Sequence, residues 1–485
     1  MHLIERIDRW GRETPDRVAH ISGERSLTYG ELCARSDRLA ASLEQEMGDN
    51  RSPIAVIGHK EPEMLIAFLA AVKSGRPYVP IDNSLPGHRI DSIMFTADSP
   101  ITLTPLRVAD TTGDPGAVSC RRVEGDDPFY VIFTSGSTGE PKGVVITLAN
   151  LTAFVDWMLG EQRFAESTET FLNQAPFSFD LSVMDLYLSL VTGGTLFSVN
   201  KDDIANLKSL YEKFTRSEIT TWVSTPSFAQ MCLIERGFQQ AMLPRLRRFL
   251  FCGETLASET AAQLLDRFPE AEVWNTYGPT EATVATSSIR IDREIIAKHS
   301  PLPVGYAMPG TQLLICDEQV SPVASGERGE LVIAGPNVSP GYLRRPDLTE
   351  RAFSSRDGQR AYRTGDWARE RDGLFFCEGR MDGQIKLYGY RIELGDLEAN
   401  LRALSEIADA VALPVEKGGK VDSLVAFVIL REEKTGSDFQ MGAHLKAKLG
   451  ELLPAYMLPR KFHFLDAFPM TPNGKADRRA LAELV

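Results

Sequence analysis

The six cysteines, Cys33, Cys120, Cys232, Cys252, Cys316 and Cys377, include no C-x-x-C pair, and the seven histidines form no ligand-spaced cluster with them. Neither a disulfide framework nor a zinc site follows. No uncharged apolar run reaches the roughly 18 residues of a membrane span. The first residues do not read as a charged-then-apolar signal peptide. Met1 to Arg17 instead place Leu3, Ile4, Ile7 and Trp10 on one face of an amphipathic helix. The expected location is therefore cytoplasmic. Basic residues are in deficit, with a net charge of −13. That argues against a general nucleic-acid binder, which needs basic surface to displace counterions, but not against a local pocket for one small anion. Repeats and low-complexity tracts are absent. What remains, 485 residues with 43% hydrophobic and 25% charged, is an ordinary globular composition. It suits about three domains or subdomains.

Residues 53 to 200 alternate strand-like and helix-like segments. Pro53–Gly58 is a short apolar run, Met64, Leu65, Phe68, Leu69 and Val72 recur at helical spacing, and Tyr78–Ile81 reads as the next strand. Phe129–Phe133, Val144–Ile146, Thr195–Val199 and Leu246–Phe251 are further strands, with helices at Asn150–Leu159 and Asp180–Leu190. Such alternation predicts parallel sheets covered by helices, with ligands at the carboxyl ends of strands. From about residue 300 the texture changes. Gly329–Ala334 and Gly373–Glu378 are β-rich pieces between Gly and Pro turns, which predict a barrel-like subdomain. Beyond Gly383 a shorter α+β pattern begins, with helices near Asp396–Leu404 and Gly442–Leu453 and strands at Ala410–Leu413 and Ser423–Leu430. The expected domains are 1–382 and 383–485.

The strongest local signal is Thr134-Ser-Gly-Ser-Thr-Gly-Glu-Pro-Lys-Gly143, directly after an apolar strand. Its glycines would let the backbone approach an anion, while hydroxyls and N–H groups supply donors and Lys142 supplies charge. It is not a Walker A loop, since Pro141-Lys142-Gly143 replaces the required Gly-Lys-Ser/Thr. By itself the segment could also be a flexible Ser/Gly turn, the less favoured reading.

Further along stand Asn275-Thr-Tyr-Gly-Pro-Thr-Glu281, Tyr362-Arg-Thr-Gly-Asp366, Gly379-Arg-Met-Asp-Gly-Gln-Ile-Lys386 and Pro472-Asn-Gly-Lys475. With the Ser/Gly loop, this ordered series resembles the adenylate-forming superfamily, which includes acyl-CoA synthetases, luciferases and amino-acid adenylation domains. The resemblance spans nearly the whole chain. It implies an α/β adenylate-forming fold: a large amino-terminal domain of two α/β subdomains plus the β-barrel-like piece, and a small mobile α+β carboxy-terminal lid.

The implied chemistry brings a carboxylate to the α-phosphorus of ATP and expels pyrophosphate, so catalysis rests on positioning and on cations aimed at the accumulating charge. By resemblance, Lys475 bridges the substrate carboxylate and the α-phosphate, and Thr134, Ser135, Gly136, Ser137, Thr138 and Lys142 cradle phosphate. Asn275, Thr276, Tyr277, Gly278, Pro279 and Thr280 surround the adenylate, and Tyr277 offers adenine an aromatic face. Asp366 accepts from the ribose hydroxyls, Arg380 contacts ribose or phosphate, and Glu281 holds Mg²⁺. The plain alternatives are a solvated Lys475, a surface Glu281 and a packing Tyr277.

Asn173-Gln-Ala-Pro-Phe-Ser-Phe-Asp180-Leu-Ser-Val-Met-Asp185 bears on which acid is activated. Asp180 opens a helix, and the plain reading is an N-cap worth about 1 kcal/mol. In amino-acid adenylation domains the matching aspartate pairs with the substrate α-ammonium, and a buried carboxylate suits an ammonium far better than a fatty chain. The stretches Phe249-Leu-Phe-Cys-Gly-Glu254, Asn275 to Ala285, Gln384 to Arg391 and Leu453 to Arg460 are similar to the superfamily branch that activates D-alanine for a carrier protein. That similarity implies lipoteichoic acid D-alanylation as the setting. In that branch the cysteine matching Cys252 lies beside the substrate methyl and favours D over L, with Val284 lining the same pocket. A core cysteine is the plain alternative.

The chain ends at Val485, soon after Lys475, so a phosphopantetheinylated D-alanyl carrier protein is expected in trans. The resemblance further implies a hinge at Asp382. Turning there withdraws Lys475 and presents the segment from Lys386 to Arg391 for thiol transfer. Gly389 would either admit the pantetheine arm or simply make a β-turn. One departure from the branch, Gly395-Asp396 where Glu-Glu is usual, is expected to alter a charged surface beside the hinge and hence carrier docking.

Overall fold

The computed structural model describes residues 2–111, 122–136, 140–166, 168–417, 420–432, 436–470 and 476–485. Ser137, Thr138, Lys475 and Cys120 lie outside them. The chain divides into two compact units. One comprises Met1–Asn83, Thr96–Ile132 and Gly143–Met381, and the other Ser84–Phe95, Phe133–Lys142 and Asp382–Val485.

The first unit is built on parallel sheet. In the larger sheet the order is Tyr306–Ala307, Ser287–Ile291, Glu272–Tyr277, Arg248–Phe251, Thr221–Ser224, Thr170–Asn173, Thr195–Ser198, Val18–Ser22, Arg25–Thr28. Its middle, from Glu272–Tyr277 to Val18–Ser22, is parallel, and only the margins are antiparallel. Parallel strands are covered on both faces, so they read as continuous apolar runs, as in Arg248–Phe251, buried throughout. A second sheet runs Gly341–Tyr342, Lys142–Thr147, Pro128–Thr134, Tyr78–Asp82, Ile54–Gly58, Thr102–Leu103.

Helices Pro62–Lys73 and Leu181–Thr192 are buried on every side. Their near-continuous apolar sequences suit that position and would not suit a half-exposed one. Leu181–Thr192 packs on strands Thr170–Asn173 and Thr195–Ser198, so its first residue is fixed close to the carboxyl end of the sheet. Capping boxes start Tyr29–Met47 (Thr28 with Glu31) and Leu148–Gln162 (Thr147 with Asn150). The amino-terminal helix is shorter than its pattern suggests and covers Leu3–Glu13. Pro15 explains the early stop, because proline disfavours helical backbone in the residue before it.

The β-rich piece is antiparallel: Gln312–Cys316, Gly329–Ala334, then the long strand Gln359–Arg371, which pairs with both Phe353–Arg356 and Leu374–Arg380. Register shifts fall opposite one another, at Glu330/Val332 and Asp366/Ala368. Such bulges bend a strand and re-aim side chains, and here they fall at Asp366.

In the second unit Ile407–Lys417 pairs antiparallel with Lys420–Leu430, which pairs parallel with Lys461–Phe464. Helices Leu394–Ala403 and Asp438–Leu452 close a core of Leu397, Leu401, Ala426, Val428, Leu445 and Leu449. Asp396 corrects the expectation of an altered charged surface, since its side chain is fully buried. It accepts from Arg89 Nη2 at 2.6 Å and from Asn400 Nδ2 at 2.9 Å. Burial raises its pKa despite the guanidinium. A side chain with no exposed surface cannot present charge to a partner. In the hairpin Gln384–Leu387/Tyr390–Glu393, Tyr388 and Gly389 both have positive φ, +52° and +83°. That is the mirror-image two-residue turn that glycine favours, and it suits Gly389.

Among the described residues no helix is long and apolar enough to cross a membrane.

Candidate active site

The carboxyl ends of neighbouring parallel strands bring several of the singled-out residues together. Cys252 directly follows strand Arg248–Phe251, and Asn275, Thr276 and Tyr277 end the next one. Thr276 Oγ1 donates to Phe251 O at 2.8 Å and Asn275 Nδ2 to Pro303 O at 2.8 Å, which fixes the strand ends side by side. The chain then turns through Gly278. A Cβ there would lie 2.6 Å from Ala285 Cα and 2.7 Å from Val284 O, so only glycine allows residues 284–285 to pass so close.

Residues 280–284 each make a distinct contact. Thr280 Oγ1 donates to Asp180 Oδ2 at 2.8 Å across 100 residues of sequence. Asp180 precedes helix Leu181–Thr192 but makes no side-chain capping bond. Its carboxylate is buried, 7% exposed. Glu281 has no solvent exposure, and its Oε1 accepts from Tyr342 Oη at 2.7 Å. Thr283 and Val284 both hold positive φ, +54° and +68°. For β-branched residues that is an outlier costing about 1–3 kcal/mol, a cost met where the surroundings over-determine the backbone. Cys252 Sγ donates to Val284 O at 3.4 Å, so the two candidate pocket residues do meet.

A polar set lies on the other side of Tyr277. Its hydroxyl donates to Asp366 Oδ2, and Arg380 Nη1 donates to Asp366 Oδ1 at 3.0 Å. Burial, then the Asp366 charge, push the Tyr277 phenol well above its ordinary pKa, so it remains a donor. Glu330, with no signature in the sequence, accepts from Gly365 N at 3.0 Å and from Arg363 Nη2 at 2.6 Å. It thereby fixes the bulge that aims Asp366.

In the second unit Thr134 ends its strand, and its Oγ1 is buried with no partner among the described residues. Ser135 Oγ donates to Arg391 O at 2.8 Å and accepts from Glu393 N at 3.2 Å. At Gly136 a Cβ would meet Glu140 O at 2.1 Å, so the loop is tight enough to demand glycine. Lys142 begins the strand Lys142–Thr147, and Lys386 is exposed on its hairpin opposite Arg391. Asp382 Oδ1 accepts from Gln384 N at 3.1 Å.

Tyr342, Thr283, Asn337 and Glu330 escaped notice in the sequence. Only Tyr342, in the Gly341-Tyr342 pair after a polar turn, had any local signal. The others act through contacts with residues far away in the chain, which leave no local residue pattern.

Glu281 suits a magnesium site by its chemistry. Magnesium takes hard oxygen ligands and is usually bound by one or two carboxylates together with substrate phosphates. Glu281 is a buried carboxylate oriented by a phenol.

Residues 7–343 match the AMP-binding enzyme family, and residues 396–475 match the AMP-binding enzyme C-terminal domain. A protein named D-alanine--D-alanyl carrier protein ligase from Bacillus anthracis is 46% identical, over 99% of both chains. One of the same name from Bacillus mycoides is also 46% identical over 99% of both. Among solved structures, the Vibrio cholerae adenylation domain AlmE, in complex with glycyl-adenosine-5'-phosphate, superposes with a TM-score of 0.86 at 22% identity, covering 99% of this chain and 97% of that one. Holo-PA1221, an adenylation and PCP protein, gives 0.85 at 26%, covering 100% and 84%. The fold is thus that of the adenylation enzymes, and the chain belongs to the AMP-binding enzyme family.

Proposed function

We propose that this enzyme activates D-alanine with ATP as D-alanyl-AMP and transfers the D-alanyl group to the phosphopantetheine thiol of a separate carrier protein, in the cytoplasm, for lipoteichoic acid D-alanylation. The observation that carries the reading is the buried Asp180 carboxylate, which is held by Thr280 and does no capping. A small zwitterion offers that carboxylate an ammonium; a fatty acid offers it nothing. The 46% full-length similarity to D-alanine ligases supports D-alanine in particular.

In this reading residues 1–382 form the adenylation domain and 383–485 the lid. A D-alanine carboxylate oxygen attacks the α-phosphorus of ATP, the bond to the β-phosphate bridging oxygen breaks, and pyrophosphate leaves. The carrier thiolate then attacks the acyl carbon and AMP leaves. Asp180 holds the ammonium, and Cys252 and Val284 shape the side-chain space. Asp366 and Arg380 orient the ribose, Tyr277 offers a face to adenine, the loop Thr134–Lys142 receives phosphate, and Lys475 neutralises the reacting oxygens. Glu281 would hold Mg²⁺, which supplies charge neutralisation of the phosphates.

The deciding experiment is ATP–pyrophosphate exchange across D-alanine, L-alanine, glycine, proline and a medium-chain fatty acid. D-Alanine is expected to give the highest kcat/KM. Preference for another amino acid would make this a freestanding adenylation enzyme of different specificity, and preference for the fatty acid would overturn the role of Asp180.

Cys252→Ala is expected to raise L-alanine use relative to D-alanine by about tenfold, the scale of a small volume change in a pocket. Parallel exchange assays with the two enantiomers measure it, and an unchanged ratio removes Cys252 from selectivity.

A further inference from the structure

Cys252 is held by a strained turn that is itself pinned from elsewhere in the chain. Ala285 N–H donates to Thr283 O at 2.8 Å, so Val284, with φ +68°, is the centre of a three-residue turn. The positive-φ form of this turn is rare and strained. The turn aims the Val284 carbonyl at Cys252 Sγ, a thiol that is only 3% exposed.

The pins come from residues 337–339. Thr283 Oγ1 donates to Asn337 O at 2.7 Å, Asn337 Nδ2 donates to Ala282 O at 2.8 Å, and Ser339 N donates to Glu281 O at 2.9 Å. Asn337 is itself held, since Thr311 Oγ1 donates to its Oδ1 at 2.9 Å. Asn337 and Thr283 have no solvent exposure. Every polar atom of the Asn337 side chain thus either receives Thr311 or supports the turn.

We propose that Asn337 and Thr283 are positioning residues that set the choice between D- and L-alanine, acting on the strained turn at Val284 and through it on the Cys252 thiol. Without these pins the turn relaxes toward ordinary negative φ, and the peptide plane after Val284 rotates. The carbonyl then leaves Sγ, and the thiol gains rotamers that vacate the space an L methyl group would enter. The ribose contacts of Asp366 and Arg380 lie outside this chain of effects. The inference rests on the D-alanine reading above.

Thr283→Val removes the hydroxyl at nearly constant shape, Asn337→Ala removes the amide, and Thr283→Ser keeps the hydroxyl. Each is assayed by ATP–pyrophosphate exchange with D- and L-alanine, in the Cys252 and the Cys252→Ala backgrounds, with melting temperature followed. Thr283→Val and Asn337→Ala are expected to lower the D/L ratio of kcat/KM about tenfold, with KM for ATP unchanged, while Thr283→Ser retains the ratio. In the Cys252→Ala background neither should lower the ratio further, because the thiol through which they act is gone.

Equal loss with both enantiomers, or the same fall without Cys252, would overturn the proposal. If Asn337→Ala does not fold, Thr283→Val decides alone. Should the unaltered enzyme give no exchange with D-alanine, the proposed function has failed. Should it prefer D-alanine while the variants keep its ratio, only the positioning role has failed.

Discussion

Lys475→Ala is expected to eliminate ATP–pyrophosphate exchange while leaving thiol transfer from supplied D-alanyl-adenylate largely intact. In the first half-reaction negative charge gathers on the substrate carboxylate and α-phosphate oxygens. Removing one preorganised donor from such a centre costs about 10²–10³ in kcat. Lys475 lies outside the described residues, so its role rests on the motif Pro472-Asn-Gly-Lys475 and on the family to which the chain belongs. Thiol transfer develops charge on the carbonyl oxygen and on departing AMP, and in the proposed scheme the hairpin carrying Lys386 serves it. Single-turnover assays of the two steps separate these cases. Equal loss of both steps would show that Lys475 serves one unchanging site and would sink the two-state scheme.

Asp180→Asn is expected to lower kcat/KM for D-alanine by about 10²–10³, with KM for ATP changed less than about twofold. Removing one member of a buried charge pair costs about 3–5 kcal/mol, because the other charge is left without compensation. The substitution keeps the size of the side chain and an oxygen for Thr280 Oγ1. Helix Leu181–Thr192 loses no capping bond, because Asp180 makes none. The loss therefore reports ammonium recognition and not a damaged helix. Steady-state exchange with D-alanine and ATP varied in turn measures it. A wild-type KM for D-alanine in the variant would place the ammonium elsewhere and reopen the question of substrate class.

Some elements that carry the candidate site residues could be read in advance where chemistry and local turn coincide. The strand expected at Phe129–Phe133 is found as Pro128–Thr134, whereas no sequence pattern announced the strand Glu272–Tyr277, which Asn275, Thr276 and Tyr277 end. The helix beginning after Asp180 was also evident from spacing. The plain N-cap reading of Asp180 failed, because the geometry of Thr280 outweighs the local preference. The expected surface role of Asp396 failed as well, because Arg89 lies 307 residues away in the chain and no short-range pattern links the two.

The residues themselves determined the family, the alternation of strand and helix, and the chemical types at each candidate position, because those depend on periodicity and on side chains a few places apart. Only the tertiary structure decided which groups share a hydrogen bond and which backbones are strained. Asp180 meets Thr280, Glu281 meets Tyr342, Cys252 meets the Val284 carbonyl, and Asn337 meets the Ala282 carbonyl. Each of these contacts is made by chain segments far apart in sequence. What fixes them is the close packing of buried groups, where most polar atoms find a partner.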